Sequence, residues 1–270
     1  MRLFGLLFSV FVVLSCVSKT IPNQRFIDSE ILAVPTIAGA PADPNVFSFA
    51  IVGDLHVGDD AIRLTQIATQ AAAEGDAFII LLGDTADEGK STSYVAVQNA
   101  LNGQGYLTKF LSVIGNHDVF NEGWDNYKSA MGRSHYTVSY GNSQYIALDT
   151  ADGTLGETQY DWLEGELKKS KPTHTFILSH YLPVIPGQRT YLKLANEEEA
   201  MRVMRLSQNY SVRAWLGAHY HSYINETIEN VTYVVAGGGG GRRMEPIKQN
   251  FFVQVSVNGD AVSYHLRLLD

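Results

Sequence analysis

The sequence predicts an α/β fold of four layers, an αββα sandwich in which helices flank two packed, mixed β-sheets. The first half of the chain alternates apolar, β-prone runs with helix-like segments, a pattern typical of parallel strands covered by helices. The later part carries consecutive strands. The chain has 270 residues, of which 45% are hydrophobic, and this is enough for one large domain with a sizeable core.

Five apolar, β-prone runs are predicted to form buried strands. Each run is followed by a polar side chain of a metal-ligating type. They span 46–52, 77–82, 111–114, 175–179 and 212–216. In open α/β sheets, the functional crevice lies at the carboxyl ends of the strands. The five segments therefore predict one polar cluster at that edge.

Helical patterns and turn residues define the remaining elements. Gly75 and Gly103 end the first two predicted helices, and lysines in the last turn of a later one suit the helix dipole. The predicted helices span 59–75, 91–101, 122–131, 158–169 and 197–208. Tight turns at Gly141-Asn142 and Asn258-Gly259 predict hairpins, and the paired or alternating strands span 135–140, 144–148, 223–228, 232–236, 251–257 and 261–268.

The amino terminus has the pattern of an export signal. Met1-Arg2 is followed by an apolar run, 3–14, that is too short to span a bilayer comfortably. The run ends in Val-Leu-Ser-Cys, which resembles a bacterial lipobox and predicts a signal peptide over 1–15 and a lipid anchor on Cys16. The alternative is an ordinary signal peptide and a secreted protein. The lipoprotein interpretation predicts membrane anchoring that faces the periplasm or the exterior, a tether over 16–44 and one folded domain over 45–270.

Charge and cysteine content narrow the function classes. The formal net charge of −8 argues against a broad nucleic-acid-binding surface, so no nucleic-acid partner is expected. Cys16 is the only cysteine, which excludes an internal disulfide and a thiolate zinc site.

The candidate ligands combine carboxylate, amide and imidazole groups, a set that favours borderline transition metals over calcium. In an extended strand, residues i and i+2 share a face, so Asp54 with His56, and His219 with His221, are predicted to point the same way. The full set is Asp54, His56, Asp84, Asn116, His180, His219 and His221.

The ordered blocks Asp-x-His, Gly-Asp, Gly-Asn-His, a lone His and a final His-x-His resemble the calcineurin-like metallophosphoesterases across roughly residues 47–221. The resemblance implies two divalent or trivalent ions (Mn, Fe, Zn or Ni) bridged by Asp84. One ion would be held by Asp54, His56, His221 and Asp84, and the other by Asp84, Asn116, His180 and His219. Two positions depart from the family: Ala218 separates the last glycine from its histidine, and Asp87 stands where purple acid phosphatases have a metal-binding tyrosine.

The resemblance also implies a phosphoric ester hydrolase, either a phosphomonoesterase or a phosphodiesterase, acting on a small-molecule phosphate ester. A metal-bridging hydroxide would attack phosphorus in line, and His117 would stay off the metals and assist the leaving group. Asp87 in place of tyrosine favours the diesterase-like branches. The alternatives are a catalytically silent binding or scaffold lipoprotein on the same fold, and a nuclease that uses the same centre.

Other residues near these motifs are weaker candidates. Asp118, Tyr181 and Arg189 are candidate substrate-pocket residues, and Asp118 either orients the site or is a solvent-facing loop acid. The glycine run 237–241 lacks the lysine and the strand-to-helix context of a phosphate-binding loop, so it is interpreted as a flexible loop near the site. Three histidines outside the motifs are interpreted as structural, namely His135, His174 and His265.

Overall fold

Two mixed β-sheets lie face to face in the computed structural model, which describes residues 22–169, 172–242 and 247–269. The first sheet has the order β11-β10-β1-β2-β3 and the second the order β4-β5-β6-β7-β9-β8. The strands are β1 (Val46–Val52), β2 (Ile79–Leu82), β3 (Phe110–Val113), β4 (Tyr136–Tyr140), β5 (Ser143–Ala147), β6 (His174–Leu178), β7 (Ala214–Gly217), β8 (Tyr223–Ile228), β9 (Val231–Ala236), β10 (Phe251–Asn258) and β11 (Ala261–Leu268).

Helices cover the outer face of each sheet. They are α1 (Pro22–Glu30), α2 (Ile62–Ala73), α3 (Ser91–Gly103), α4 (Gly123–Ala130), α5 (Glu157–Lys169) and α6 (Glu197–Asn209), with a short 3₁₀ turn at His117–Glu122. Buried side chains of α2, α3 and α4 pack on the first sheet, and those of α5 and α6 pack on the second. The predicted αββα sandwich is confirmed.

An aromatic cluster fills the space between the sheets. Phe49 of β1 stacks on Phe78 at 4.8 Å between ring centroids and meets Tyr145 and Phe176 of the second sheet edge-on at 5.4 and 5.8 Å. All four are fully buried. Large buried aromatic rings dominate the energetics of such an interface, so this cluster holds the two sheets in one relative position.

The strands β1, β2 and β3 run parallel, as do β5, β6, β7 and β9, so their carboxyl ends meet at common edges. Side chains of β1 alternate between the inter-sheet core (Phe49, Ile51) and the helix-facing core (Ala50, Val52). Both faces are apolar because both are covered, which explains the continuous hydrophobic runs of the sequence.

The amino-terminal segment differs from the expected tether. Residues 22–30 form α1, and Arg25 on that helix is fully buried, where it donates to Asp149 at 2.7 Å and to Asp152 at 2.7 Å. Phe26 stacks on His135 at 3.8 Å between ring centroids. Nine residues carry too few turns for periodicity to reveal a helix, and their stability comes from tertiary contacts. The predicted signal peptide and Cys16 lie outside the described residues.

One predicted turn is displaced by a single residue. Asn258 pairs with Ala261, so the turn between β10 and β11 is formed by Gly259 and Asp260, and not by Asn258-Gly259. Among the described residues, none of the helices has the length and apolar character that a bilayer crossing requires.

Candidate metal centre

The seven predicted ligand residues all lie just beyond the carboxyl ends of parallel strands. The first sheet supplies three oxygen ligands and one imidazole, and the second sheet supplies three imidazoles. The set consists of Asp54 and His56 after β1, Asp84 after β2, Asn116 after β3, His180 after β6, and His219 and His221 after β7. The structure brings them together where the two sheet edges meet.

Four of these residues have left-handed backbone conformations. The φ angles are +57° at Asp54, +47° at His56, +49° at Asp84 and +63° at His219. The prediction that Asp54 and His56 share one face of an extended strand is therefore wrong in its reason, since both lie in the loop after β1. Non-glycine residues rarely adopt such angles, and they cluster at functional sites where surrounding contacts enforce them.

Asp84 stands at the middle of the cluster. Its Oδ2 lies 3.3 Å from His180 Nε2 and 3.7 Å from His56 Nε2, so it faces histidines of both sheets. Its Oδ1 accepts a hydrogen bond from the His117 backbone N–H at 2.8 Å. Nearby, His221 Nε2 lies 3.6 Å from Asp54 Oδ1. These potential ligand atoms form three overlapping groups: Asp54, His56 and His221; His56, Asp84 and His117; Asp84, His180 and His219.

Hydrogen bonds fix which ring nitrogen of each histidine turns inward. His180 Nδ1 donates to the Leu82 carbonyl at 2.9 Å, and His221 Nδ1 donates to the Arg242 carbonyl at 2.8 Å. Both Nε2 atoms are thereby left as lone-pair donors toward the cluster. His56 Nδ1 bonds Asp87 at 3.1 Å, while its buried Nε2 has no hydrogen-bond partner within the described ranges.

The arrangement fits metal ions. Nitrogen and oxygen atoms with lone pairs face one another here, and they carry too few hydrogens to form hydrogen bonds among themselves. His180 Nε2 lies 3.1 Å from Asn116 Oδ1, 3.2 Å from His219 Nδ1 and 3.3 Å from Asp84 Oδ2. Metal–ligand bonds of about 2.0–2.2 Å place neighbouring ligand atoms about 3–4 Å apart. The spacing and the mixed N/O donors suit borderline transition metals.

Burial and charge shift the titration of these groups strongly. Burial alone would raise the pKa of Asp84, but the facing His180 imidazole outweighs burial and holds that pKa well below its usual range. Burial lowers the pKa of His180, yet Asp84 outweighs this and raises it to about 9. Burial and the neighbouring His180 lower the pKa of His219 to about 3, and burial lowers the pKa of His56 and of His221. Because the pKa of His180 is raised, a proton and a metal ion compete for its Nε2.

His117 lies at the mouth of the cluster, with 32% of its side chain exposed. Its Nδ1 is 2.7 Å from the Asp87 carbonyl oxygen and 3.5 Å from Asp87 Oδ1, and its ring meets the His56 ring edge-on. The bond to the carbonyl fixes the proton on Nδ1 and leaves the lone pair on Nε2. Asp87 thus contacts both His56 and His117. The sequence analysis treated Asp87 only as the residue that stands where purple acid phosphatases have a tyrosine. Its position three residues after Asp84 was a signal that it lies near the cluster.

Asp118 is fully buried, so its interpretation as a solvent-facing acid is wrong, and it does not line a substrate pocket. Its carboxylate accepts from the backbone N–H groups of Ala86 and Gly115 at 2.9 Å each, and from the Tyr94 hydroxyl at 3.0 Å. Burial is the main cause that raises the pKa of Asp118 to about 6. Asp118 ties together the loops that carry Asp84 and Asn116.

The other two pocket candidates lie in different places. The Tyr181 hydroxyl is 3.3 Å from Asn116 Oδ1, and its ring lies 3.8 Å from the His219 ring between centroids. Arg189 is exposed on the loop between β6 and α6, and within the described residues no side-chain hydrogen bond joins it to the cluster.

The alanine that interrupts the last motif is accommodated without displacing its histidines. Ala218 is fully buried, and a Cβ on Gly53 would lie 2.3 Å from that of Ala218. The pair packs only because position 53 is glycine. The glycine run also differs from the expected flexible loop, since Gly239 N–H donates to the Gly53 carbonyl at 3.0 Å and Gly241 N–H donates to the Asp54 carbonyl at 2.8 Å.

The fold and the site together define a metal-dependent phosphoesterase, and the profile of the calcineurin-like phosphoesterases matches residues 47–223. The chain belongs to this family, and it is a metal-dependent phosphoric ester hydrolase.

Two relatives have cyclic nucleotide names. A probable cyclic nucleotide phosphodiesterase of Fibrobacter succinogenes is 24% identical over 208 residues, which are 72% of this chain and 80% of that protein. A 3′,5′-cyclic-nucleotide phosphodiesterase of a Nostoc species is 27% identical over 165 residues, 58% of this chain and 60% of that protein.

Solved structures share the fold. A purple acid phosphatase from yellow lupin superposes with a TM-score of 0.64 at 17% identity, covering 86% of this chain and 52% of its own. A dimetal phosphatase from Danio rerio gives 0.64 at 16% identity, covering 84% of this chain and all of its own.

Proposed function

We propose that this protein hydrolyses phosphodiesters that carry a nucleoside, with cyclic nucleotides as the leading substrates. The observation that supports this most is the complete cluster around Asp84, with ligand groups on both of its sides. The cyclic nucleotide names of the two relatives support the choice of diester.

The residues divide between two ion positions. Asp54, His56 and His221 would hold one ion, and the second would be held by four residues, Asp84, Asn116, His180 and His219, with Asp84 shared. Two bound ions lower the pKa of a coordinated water and neutralise charge on the phosphoryl oxygens. The chain's own residues hold the ligand rings in place: the carbonyl oxygens of Leu82 and Arg242 fix His180 and His221.

His117 is the proposed proton donor to the leaving oxygen. Its Nδ1–H is held by the Asp87 carbonyl at 2.7 Å, so Nε2 is the nitrogen that can carry a proton toward the substrate. The Asp87 carboxylate, 3.5 Å from Nδ1, helps to orient the ring. The partial exposure of His117 at the mouth of the cluster supports this role.

A substrate panel tests the proposal. Purified protein reconstituted separately with Mn, Fe, Zn and Ni is offered 3′,5′-cyclic nucleotides, a bis-aryl phosphate and a mono-aryl phosphate. We expect hydrolysis of the diesters at a higher kcat/KM than the monoester, and the most active metal identifies the preferred ion. A strong preference for the monoester would contradict the diesterase proposal, and less than one bound metal per chain would favour a silent scaffold.

We further propose that the protein is exported and anchored to a membrane through a lipid on Cys16, facing the periplasm or the exterior. The supporting observation is the lipobox-like end of the apolar amino-terminal run. Incorporation of a labelled fatty acid into the expressed protein tests this, with Cys16→Ser as the control. Equal labelling of both proteins would contradict the anchor, and release of unlabelled protein into the medium would support secretion.

A further inference from the structure

A cavity of about 390 Å³ opens beside the metal centre on the His56 side. Its wall is formed by the loop after β1, the first turns of α2 and Asn250 just before β10. Small-molecule sites commonly have volumes of about 300–1,000 Å³, so the cavity is large enough for a substrate fragment. His56 belongs both to this wall and to the ligand cluster, so the cavity borders the position proposed for a reacting phosphate.

Arg63 supplies the positive charge of this cavity. Within the described ranges, it forms neither a salt bridge nor a side-chain hydrogen bond, and it is exposed. A Cβ built on Gly240 would lie 3.2 Å from Arg63 Nη1, so the guanidinium rests against the glycine run. A Cβ on the next residue, Gly241, would contact the rings of His221 and His56 at 2.4 and 3.0 Å. The guanidinium of Arg63 and the two ligand rings therefore lie beside neighbouring residues of the same glycine run.

The other lining groups suit a heteroaromatic base. Gln66 and Asn250 offer amide groups, each with donors and an acceptor, and Ile62 offers an apolar surface that is 62% exposed. Amide and guanidinium groups recognise the hydrogen-bonding edges of bases, and guanidinium planes also stack on base rings. The carboxylate of Asp60 lies in the same wall, which disfavours a second phosphate group there.

We propose that this cavity binds the nucleobase of the substrate, with Arg63 as the specificity-determining residue. The inference rests on the proposed function, since it places the base of a nucleotide diester whose phosphate lies at the metal centre. Binding there orients the diester and adds interactions that an aryl ester cannot make, because an aryl ring has no base edge to bond.

The test compares two substrates on the metal-reconstituted full chain. Arg63→Ala is expected to raise KM for 3′,5′-cyclic AMP and cyclic GMP by about tenfold, the loss typical of one hydrogen bond to a charged group. Its kcat/KM for the bis-aryl phosphate should stay within about twofold of the wild type. Arg63→Lys keeps the charge without the planar fork and should restore only part of the affinity. Arg205→Ala, on the exposed face of α6, is the matched control.

A binding measurement supplies a readout that does not depend on turnover. Titration calorimetry with a nucleoside 5′-monophosphate and with inorganic phosphate should show that Arg63→Ala lowers the affinity for the nucleotide and leaves the affinity for phosphate unchanged.

Three outcomes would overturn the inference. They are equal losses for nucleotide and aryl diesters, no change for either, and a loss found only for diphosphate-bridged nucleotides, which would assign Arg63 to a second phosphate. If the wild-type protein fails to hydrolyse any diester, the proposed function is refuted, while the calorimetry still decides whether the cavity binds a base.

Discussion

The first sheet and the second sheet contribute different chemistry to the metal cluster. Beyond the first sheet lie Asp54, Asp84 and Asn116, which provide every oxygen ligand, whereas the second provides only imidazoles, from His180, His219 and His221. Three of the four left-handed ligand residues also follow strands of the first sheet. Two of the three ligand groups, Asp54-His56-His221 and Asp84-His180-His219, take side chains from both sheets, so metal binding there and packing of the two sheets depend on each other.

The largest effect is expected for Asp84, the ligand that faces histidines of both halves. Asp84→Asn removes the charge that faces His56 and His180, so we expect hydrolysis of a bis-aryl phosphate to fall by about 10³-fold or more. Metal content, measured by mass spectrometry, should fall as well. His221→Ala should remove roughly one ion per chain, and Asp161→Asn, exposed on α5, should behave as wild type. Full activity in Asp84→Asn would refute the assignment of Asp84 as a metal ligand required for hydrolysis.

The next effect tests whether the halves depend on their common core. Phe176→Ala removes a ring that contacts Phe49 across the sheets, and we expect the free energy of unfolding to fall by about 3–5 kcal/mol. Urea denaturation with and without saturating metal measures it. Metal at 100 times its Kd should stabilise the wild type by about 2.7 kcal/mol. Val95→Ala, exposed on α3, should change stability by less than about 0.5 kcal/mol. Metal binding that persists after the sheets unfold would show that the halves are independent.

A smaller effect isolates the positioning residue of the first sheet. Asp87→Ala leaves the ligand set intact but removes the carboxylate that contacts His56 and His117. We expect a 10- to 100-fold loss of activity or metal affinity, the range typical of groups that orient metal ligands. Measured kcat and metal content separate these two effects. The neighbouring Glu88→Ala is the control, because Glu88 pairs with Lys90 outside the cluster; equal losses in both variants would argue for a general loop effect.

The smallest effect concerns α1, which carries none of the predicted metal ligands. Burial lowers the pKa of His135 below its ordinary value, although Glu30 partly opposes this. The contribution of neutral His135 to stability is present above the unfolded pKa of about 6.5, and it is lost as pH falls through the folded pKa. Acidification below pH 6.5 should therefore loosen α1 and change the fluorescence of Trp162, which contacts His135.

His135→Phe keeps the stacking surface for Phe26 and should abolish that pH dependence. The exposed His265→Gln variant should keep it. A titration that is identical in His135→Phe and in the wild type would assign the pH dependence to another group.

Much of the fold and the approximate location of the cluster could be predicted from local patterns. Alternation and apolar runs identified the strands of both sheets, because a strand buried on one face alternates apolar and polar residues, and a strand buried on both faces is continuously apolar. The short helix α1 was not recognised, since its stability comes from Arg25 and Phe26 contacting residues more than 100 positions away. The buried position of Asp118 was equally invisible, because the amides that bind it belong to other loops.

The sequence by itself determined which chemical groups this protein has for holding cations, and in which order they follow the strands. Only the tertiary structure decided the left-handed loops that aim Asp54 and His56, the contact of Asp87 with two histidines, and the Arg63 cavity. The physical reason is that residue type and local period follow from neighbouring positions, whereas ring orientation, strain and cavity shape are set by groups that only packing brings together.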